Sequence, residues 1–153
     1  ADIMESLIFD TRFHDVDALV AQVPPDILHF DRLNAFSAVI QDHVQASATL
    51  RRYALDLWRA TKAPVKFGIK IDGVDINRLV LAGASPRGMS MMLRAARVNA
   101  WIHGRDAVLP DDVHAVFHET TAHRLVFSPV YEMRRTEIAR DLLNQIIQAV
   151  AAP

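Results

Sequence analysis

Apolar residues recur every three or four positions along most of this chain. Val16, Leu19, Val20 and Val23 form a short stripe ended by Pro24-Pro25. Leu33, Phe36, Ile40 and Val44 form a second after Asp31, and Leu50, Tyr53, Ala54, Leu57 and Trp58 form a third after Ser47. This spacing predicts helices that each bury one face. A longer helix is predicted from Ser85-Pro86 to about His103, with Gly104 placed to close it. On it Met89, Met92, Leu93, Ala96 and Ala100 share one side, and Arg87, Ser90, Arg94 and Arg97 share the other. Pro110-Asp111-Asp112-Val113 opens a further helix to about His123, its acids at the positive end of the helix dipole. Leu125-Val126-Phe127 reads as a short extended piece, and Ile138, Leu142, Ile146 and Val150 mark a closing helix.

Between residues 65 and 77 the period changes to two. Val65, Phe67, Ile69 and Ile71 alternate with Lys66, Gly68 and Lys70, and Asp72-Gly73 precedes Val74 and Ile76. This is the pattern of a β-hairpin turned by Asp-Gly, although an irregular loop would read the same way because a lone two-stranded hairpin is weak. The fold class expected is therefore all-α, a helical bundle with a small hairpin near residues 65–77.

Composition sets the limits. The 153 residues are 51% hydrophobic, enough for the core of one domain with or without an appended segment. The absence of cysteine excludes disulfides and cysteine-based zinc sites. No apolar run approaches a membrane span, and the acidic start (Asp2 and Glu5 before Leu7-Ile8-Phe9) lacks the basic character of a signal peptide, so a cytoplasmic location without membrane attachment is expected. The chain begins at Ala1 rather than a methionine, and we expect it to be a piece of a longer protein.

The net charge of −1 conceals an asymmetry. Residues 1–31 carry seven acids against Arg12 alone, whereas residues 32–105 carry twelve Lys/Arg against four acids. A basic middle suits a phosphate or an acidic partner, or simply a solvated face. Nucleic acid is not an expected partner, because no basic tract is interleaved with aromatics and the overall balance is not basic.

Candidate chemistry converges on Gly83-Ala84-Ser85-Pro86-Arg87-Gly88. Ser85 is a good N-cap and Pro86 suits the first helical position, so Arg87 emerges in the first turn. Free N–H groups and the dipole favour an anion there, and a guanidinium adds a fixed, forked positive charge. The same residues also describe an ordinary capped helix with a solvated arginine.

Two other patterns imitate active sites. Leu79-Val80-Leu81-Ala82 leading to Gly83 and Gly88 resembles a strand entering a phosphate loop, but Met89 stands where the loop lysine must be. The carboxylate that such a loop requires could only be Asp10, which precedes it. His114 and His118, with Glu119 and His123 nearby, have a spacing that could share a metal, yet the H-E-x-x-H order is missing. Neither a metal site nor a catalytic residue is assigned.

The run from Gly83 to Gly88 continues through Leu93-Arg94-Ala95-Ala96-Arg97, Gly104-Arg105-Asp106, Val108-Leu109-Pro110-Asp111-Asp112-Val113 and His123-Arg124-Leu125-Val126-Phe127-Ser128-Pro129. Over residues 83–129 its order and spacing resemble the C-terminal lid of MoxR-type AAA+ ATPases, and the last helix fits the family's ending. A weaker match reaches back through Leu50 to Thr61. The resemblance places a helical lid at residues 31–153 and leaves residues 1–30 as an N-terminal segment without a match.

The resemblance implies a lid closing over ATP and Mg held mainly by a separate, upstream α/β core. Arg87 would then be the second sensor, touching the terminal phosphate. The implied partners are that core, neighbouring subunits of a ring, and a von Willebrand factor A-domain protein; the implied role is a chaperone-like machine that matures other complexes. The chain alone would not be catalytic, and hydrolysis would require the core. Arg94 and Arg97 become candidates for contacts to the core or a neighbour. Leu109 departs from the family's usual threonine cap, and Val65 to Leu81 is longer than usual. A second reading remains: a free-standing helical interaction module whose basic face docks an acidic partner.

Overall fold

The computed structural model describes residues 15–24 and 29–153. Leu7-Ile8-Phe9, Asp10 and Pro25 lie outside the described residues. Two compact units are distinguished, residues 1–34 and 35–153.

In the first, α1 (Val16–Ala21) is capped by Asp15, whose side chain accepts the N–H of Ala18 at 3.0 Å. None of its residues is buried. The expected buried face is therefore lacking here among the described residues. A 3₁₀ turn, Phe30–Arg32, precedes α2 (Leu33–His43), which belongs to the second unit from residue 35 onward. Of the predicted stripe on α2, Ile40 and the following Val44 are buried, while Leu33 and Phe36 stay exposed.

Besides α2, the second unit contains α3 (Ala48–Lys62), α5 (Pro86–Ile102), α6 (Pro110–Thr121) and α7 (Arg135–Ala149), with the one-turn α4 (Ile76–Leu79) between α3 and α5. Each long helix follows its predicted stripe. Leu50, Tyr53, Ala54 and Leu57 of α3, Met92, Ala96 and Ala100 of α5, Val113 and Phe117 of α6, and Ile138, Leu142 and Ile146 of α7 meet in one core. Small residues on α5 let α6 pack closely along it, and these two helices form the most extensive helix pair.

The hairpin expected near 65–77 does not form. Pro64–Phe67 is a 3₁₀ turn off the end of α3, and Gly68 follows in the left-handed region at φ +71°, which breaks the extended run. Ile69 and Ile71 still point into the core. The main chain of Lys70 finds no partner strand; Gln145 on α7 replaces one. Lys70 N–H donates to Gln145 Oε1 at 3.2 Å, and Gln145 Nε2 donates to the Lys70 carbonyl at 2.5 Å. Alternation thus records burial of a loop under α7.

The small antiparallel sheet lies elsewhere. β1 (Val80–Ala82) pairs with β2 (Val126–Phe127), Val80 opposite Phe127 and Ala82 opposite Val126. Leu79, expected in the extended run, closes α4 instead. Gln45 and Ala107 add an isolated bridge, with Gln45 N–H donating to the Asp106 carbonyl at 2.7 Å and Val108 N–H to the Gln45 carbonyl at 2.9 Å. No helix among the described residues is long and apolar enough to cross a membrane.

Candidate functional site

Ser85 caps α5 as the sequence predicts: its Oγ accepts the N–H of Gly88 at 3.2 Å, and Pro86 occupies the first helical position. Arg87 follows in the first turn, exposed, with no hydrogen bond or ion pair to the described residues. Among the described residues no carboxylate meets its guanidinium.

What fixes this turn comes from the last turn of α3. Trp58 Nε1 donates to the Ala84 carbonyl at 2.7 Å. Thr61 Oγ1 accepts the N–H of Ala84 at 3.2 Å and donates its own proton to the Trp58 carbonyl at 2.7 Å. Ala84 is buried and has both main-chain polar groups satisfied by side chains. Lys62 Nζ lies over the Trp58 ring, 4.1 Å from its centroid.

Two glycines admit these approaches. A Cβ on Gly83 would lie 2.7 Å from the Thr61 carbonyl oxygen and 2.8 Å from Lys62 Cα; one on Gly88 would lie 2.8 Å from Arg124 Cδ. Arg124 is held across Gly88 by its Nε, which donates to the Thr120 carbonyl at 2.9 Å. Behind the turn, between Trp58, Thr61, Met89, Met92 and Phe117, remains a cavity of only about 10 Å³. The turn therefore sits on a packed base. Lys62 and Arg124 contribute positive charge beside a helix start that is already positive.

Arg94 and Arg97, grouped by sequence with Arg87, are used within the chain. Arg94 Nη2 donates to Ser37 Oγ at 3.3 Å and Arg97 Nη1 to Gln41 Oε1 at 3.2 Å, while Gln41 Nε2 donates to the Arg94 carbonyl at 3.2 Å. This face of α5 is docked by α2 rather than presented as an open row of cations.

At the far end of α5 lies a structural ion pair. Asp112 is fully buried and receives Arg105 at 2.6 and 2.7 Å, Asn99 Nδ2 at 2.8 Å and the Leu109 N–H at 2.8 Å. Burial pushes the Asp112 carboxyl upward, but Arg105, the Leu109 N–H and Asn99 together hold it below its ordinary value. The cap that Leu109 cannot give is replaced from inside the helix: Asp112 supplies the reciprocal half of a capping box.

Of the histidines, His114 Nε2 shares a 2.6 Å hydrogen bond with the Tyr53 hydroxyl across α3 and α6. Among the described residues no group of three or more His, Asp or Glu is arranged to hold a metal. β1, which imitates the strand of a phosphate loop, runs antiparallel to its partner in a two-stranded sheet.

The second unit is thus a helical one with a Ser85-capped, exposed helix start and a two-stranded antiparallel sheet. The AAA lid domain family matches residues 75–151, half of the chain, and the chain belongs to it, as a lid of the MoxR type. It is 44% identical over 147 residues to Protein MoxR of Methylorubrum extorquens, covering 96% of this chain and 43% of that protein. It is 43% identical over 148 residues to Protein MoxR of Paracoccus denitrificans, covering 97% and 44%. Chaperone MoxR1 of Mycobacterium tuberculosis is 35% identical over 102 residues, covering 66% and 26%. The chain spans less than half the length of these relatives. A crystal structure of a candidate ATPase from Cytophaga hutchinsonii superposes with a TM-score of 0.65 at 26% identity, covering 75% of this chain and 33% of that one.

Helix-start grammar alone placed Ser85 as the cap and Arg87 in the first turn. It missed Trp58 and Thr61, whose only sequence signal is a polar residue at the end of an apolar stripe.

Proposed function

We propose that this chain is the lid of an ATP-hydrolysing machine and that Arg87 is its second sensor. The supporting observation is that Arg87 stands in the first turn of a Ser85-capped helix, exposed and without a partner among the described residues, on a base that Ala84 locks to α3. A forked guanidinium so placed can bind the terminal phosphate of ATP and stabilise the charge that spreads over the phosphoryl group as it transfers.

The residues present fit one part of a nucleotide site. They offer an anion contact, but Met89 occupies the position of a loop lysine, and among the described residues no group of three or more His, Asp or Glu is arranged to hold a metal. ATP and Mg would be held mainly by an upstream phosphate-loop core, with Arg87 reaching across from the lid. Loss of the terminal phosphate would release that contact and let the lid swing, passing the state of the nucleotide to neighbouring subunits of a ring. The work done would be chaperone-like maturation of other complexes, in the cytoplasm, with a von Willebrand factor A-domain protein as partner. Residues 1–30 would stand apart from the lid proper at 31–153.

The test is Arg87→Ala in the full-length protein. Turnover should fall about ten-fold or more, or roughly 1.4 kcal/mol per decade of barrier. Unchanged turnover would remove Arg87 from the mechanism and favour the free-standing interaction module.

A further inference from the structure

We propose that Trp58 and Thr61 are positioning residues for Arg87, and that they make the last turn of α3 and the start of α5 a single moving part. The inference rests on the reading of Arg87 as a nucleotide contact and adds to it the device that aims the arginine.

Ala84 is three residues from Arg87, about one helical turn. Its two main-chain groups are taken by two side chains spaced i, i+3 on one face of α3: the indole N–H of Trp58 holds the carbonyl, and the hydroxyl of Thr61 holds the N–H. The hydroxyl is not free to rotate, because its proton is committed to the Trp58 carbonyl at 2.7 Å, which leaves a lone pair for Ala84. The indole is held in turn under the ammonium of Lys62. Gly83 lets the loop lie directly on the backbone of Thr61 and Lys62.

A loop leading into a helix usually has soft dihedrals; here the residue before the cap is fixed at both ends of its peptide groups. The consequence for Arg87 is positional. Its backbone cannot shift far relative to α3 without straining these hydrogen bonds, so any movement of the lid carries the root of the Arg87 side chain with α3, and only the side chain's own torsions remain to be set by the ligand. Contacts made in the transition state tolerate little displacement, and about 1 Å of misplacement can cost a hundred-fold in rate. Trp58 and Thr61 touch neither nucleotide nor reacting atoms; they act through Arg87.

The experiment is a double-mutant cycle on ATP turnover in the full-length protein. Thr61→Val keeps the shape and removes the hydroxyl; Trp58→Phe keeps a ring and removes the donor; Thr61→Ser restores the hydroxyl. Thr61→Val and Trp58→Phe should each lower kcat about five-fold or more, with the KM for ATP changed by less than about two-fold. Thr61→Ser should recover most of the loss. In an Arg87→Ala background Thr61→Val should add nothing, since the group it aims is gone.

A Thr61→Val loss of the same size with and without Arg87 would mean that Thr61 acts on the fold alone, and would overturn the proposal. Full turnover in both Thr61→Val and Trp58→Phe, with Arg87→Ala impaired, would overturn the positioning role and leave the Arg87 reading standing. Full turnover in Arg87→Ala would instead sink that reading and the positioning role with it. If Thr61→Val does not fold, Trp58→Phe with and without Arg87 completes the same cycle.

Discussion

Arg105 grips Asp112 through two parallel hydrogen bonds of 2.6 and 2.7 Å, joining the turn that ends α5 to the first turn of α6. The carboxylate is fully buried, yet its four incoming hydrogen bonds hold it ionised below its ordinary range. A carboxyl whose folded pKa is depressed adds stability above its unfolded pKa and loses it as pH falls through the folded value. Stability should therefore be level near neutrality and fall below about pH 4. In Asp112→Asn that acid-dependent part should shrink, and at pH 7 the variant should be less stable by about 2–4 kcal/mol, because donors arranged for a charge are left facing a neutral amide. Urea melts of both proteins from acid to neutral pH measure both effects; equal acid slopes would show that other carboxylates dominate.

The opposite sign applies at Tyr53. Burial raises the pKa of its phenol above the ordinary value, so its contribution is complete below about pH 10 and is lost as the pH climbs through the raised value. Tyr53→Phe should remove this alkaline loss. At neutral pH it should cost about 1 kcal/mol, for the hydrogen bond to His114. Thermal melts at pH 7 and above pH 10 check both.

Helix positions were legible because each depends on local grammar: Ser47 and Ser85 as caps, Pro86 and Pro110 at first positions, and, in α3, α5, α6 and α7, stripes that supply the core, whereas the stripe of α1 and the first half of that of α2 stay exposed. The segment 65–77 was not, because a period of two reports only which side chains are buried, and a loop tucked under α7 with Gln145 supplying the missing strand satisfies it equally. The grouping of Arg94 and Arg97 with Arg87 failed for a related reason. Helical phase puts them on neighbouring faces, but what those faces meet depends on α2, some fifty residues away. Arg87 could be found from the helix start; its anchoring by Trp58 and Thr61 is a contact between distant segments and has no local signature.

The glycines of the site should respond differently to a methyl group. At Gly83 the new Cβ would meet main-chain atoms of Thr61 and Lys62, which cannot yield without moving α3, so Gly83→Ala should cost about 2–3 kcal/mol. At Gly88 it would meet the stem of Arg124, which can swing at the expense of its bond to the Thr120 carbonyl, while alanine's better helix propensity offsets part of the strain. Gly88→Ala should therefore lie within about 1 kcal/mol of the parent. Comparison of the two melting curves decides this, and a larger loss at Gly88 would show that Arg124 is fixed more firmly than its one hydrogen bond implies.

At the start of α5 the described residues present the exposed guanidinium of Arg87, and Met89 stands where a phosphate loop would carry its lysine. One forked contact, open to water and screened by salt, supports only weak association. Titration of a fluorescent ATP analogue with magnesium should therefore show at most weak binding, removed by Arg87→Ala, and no phosphate release. Tight binding with turnover would mean that the lysine-free loop holds the phosphates unaided, and the division of labour between lid and core would have to be abandoned. Weak binding that persists in Arg87→Ala would move the anion contact to Lys62 or Arg124, the cations that flank the same turn.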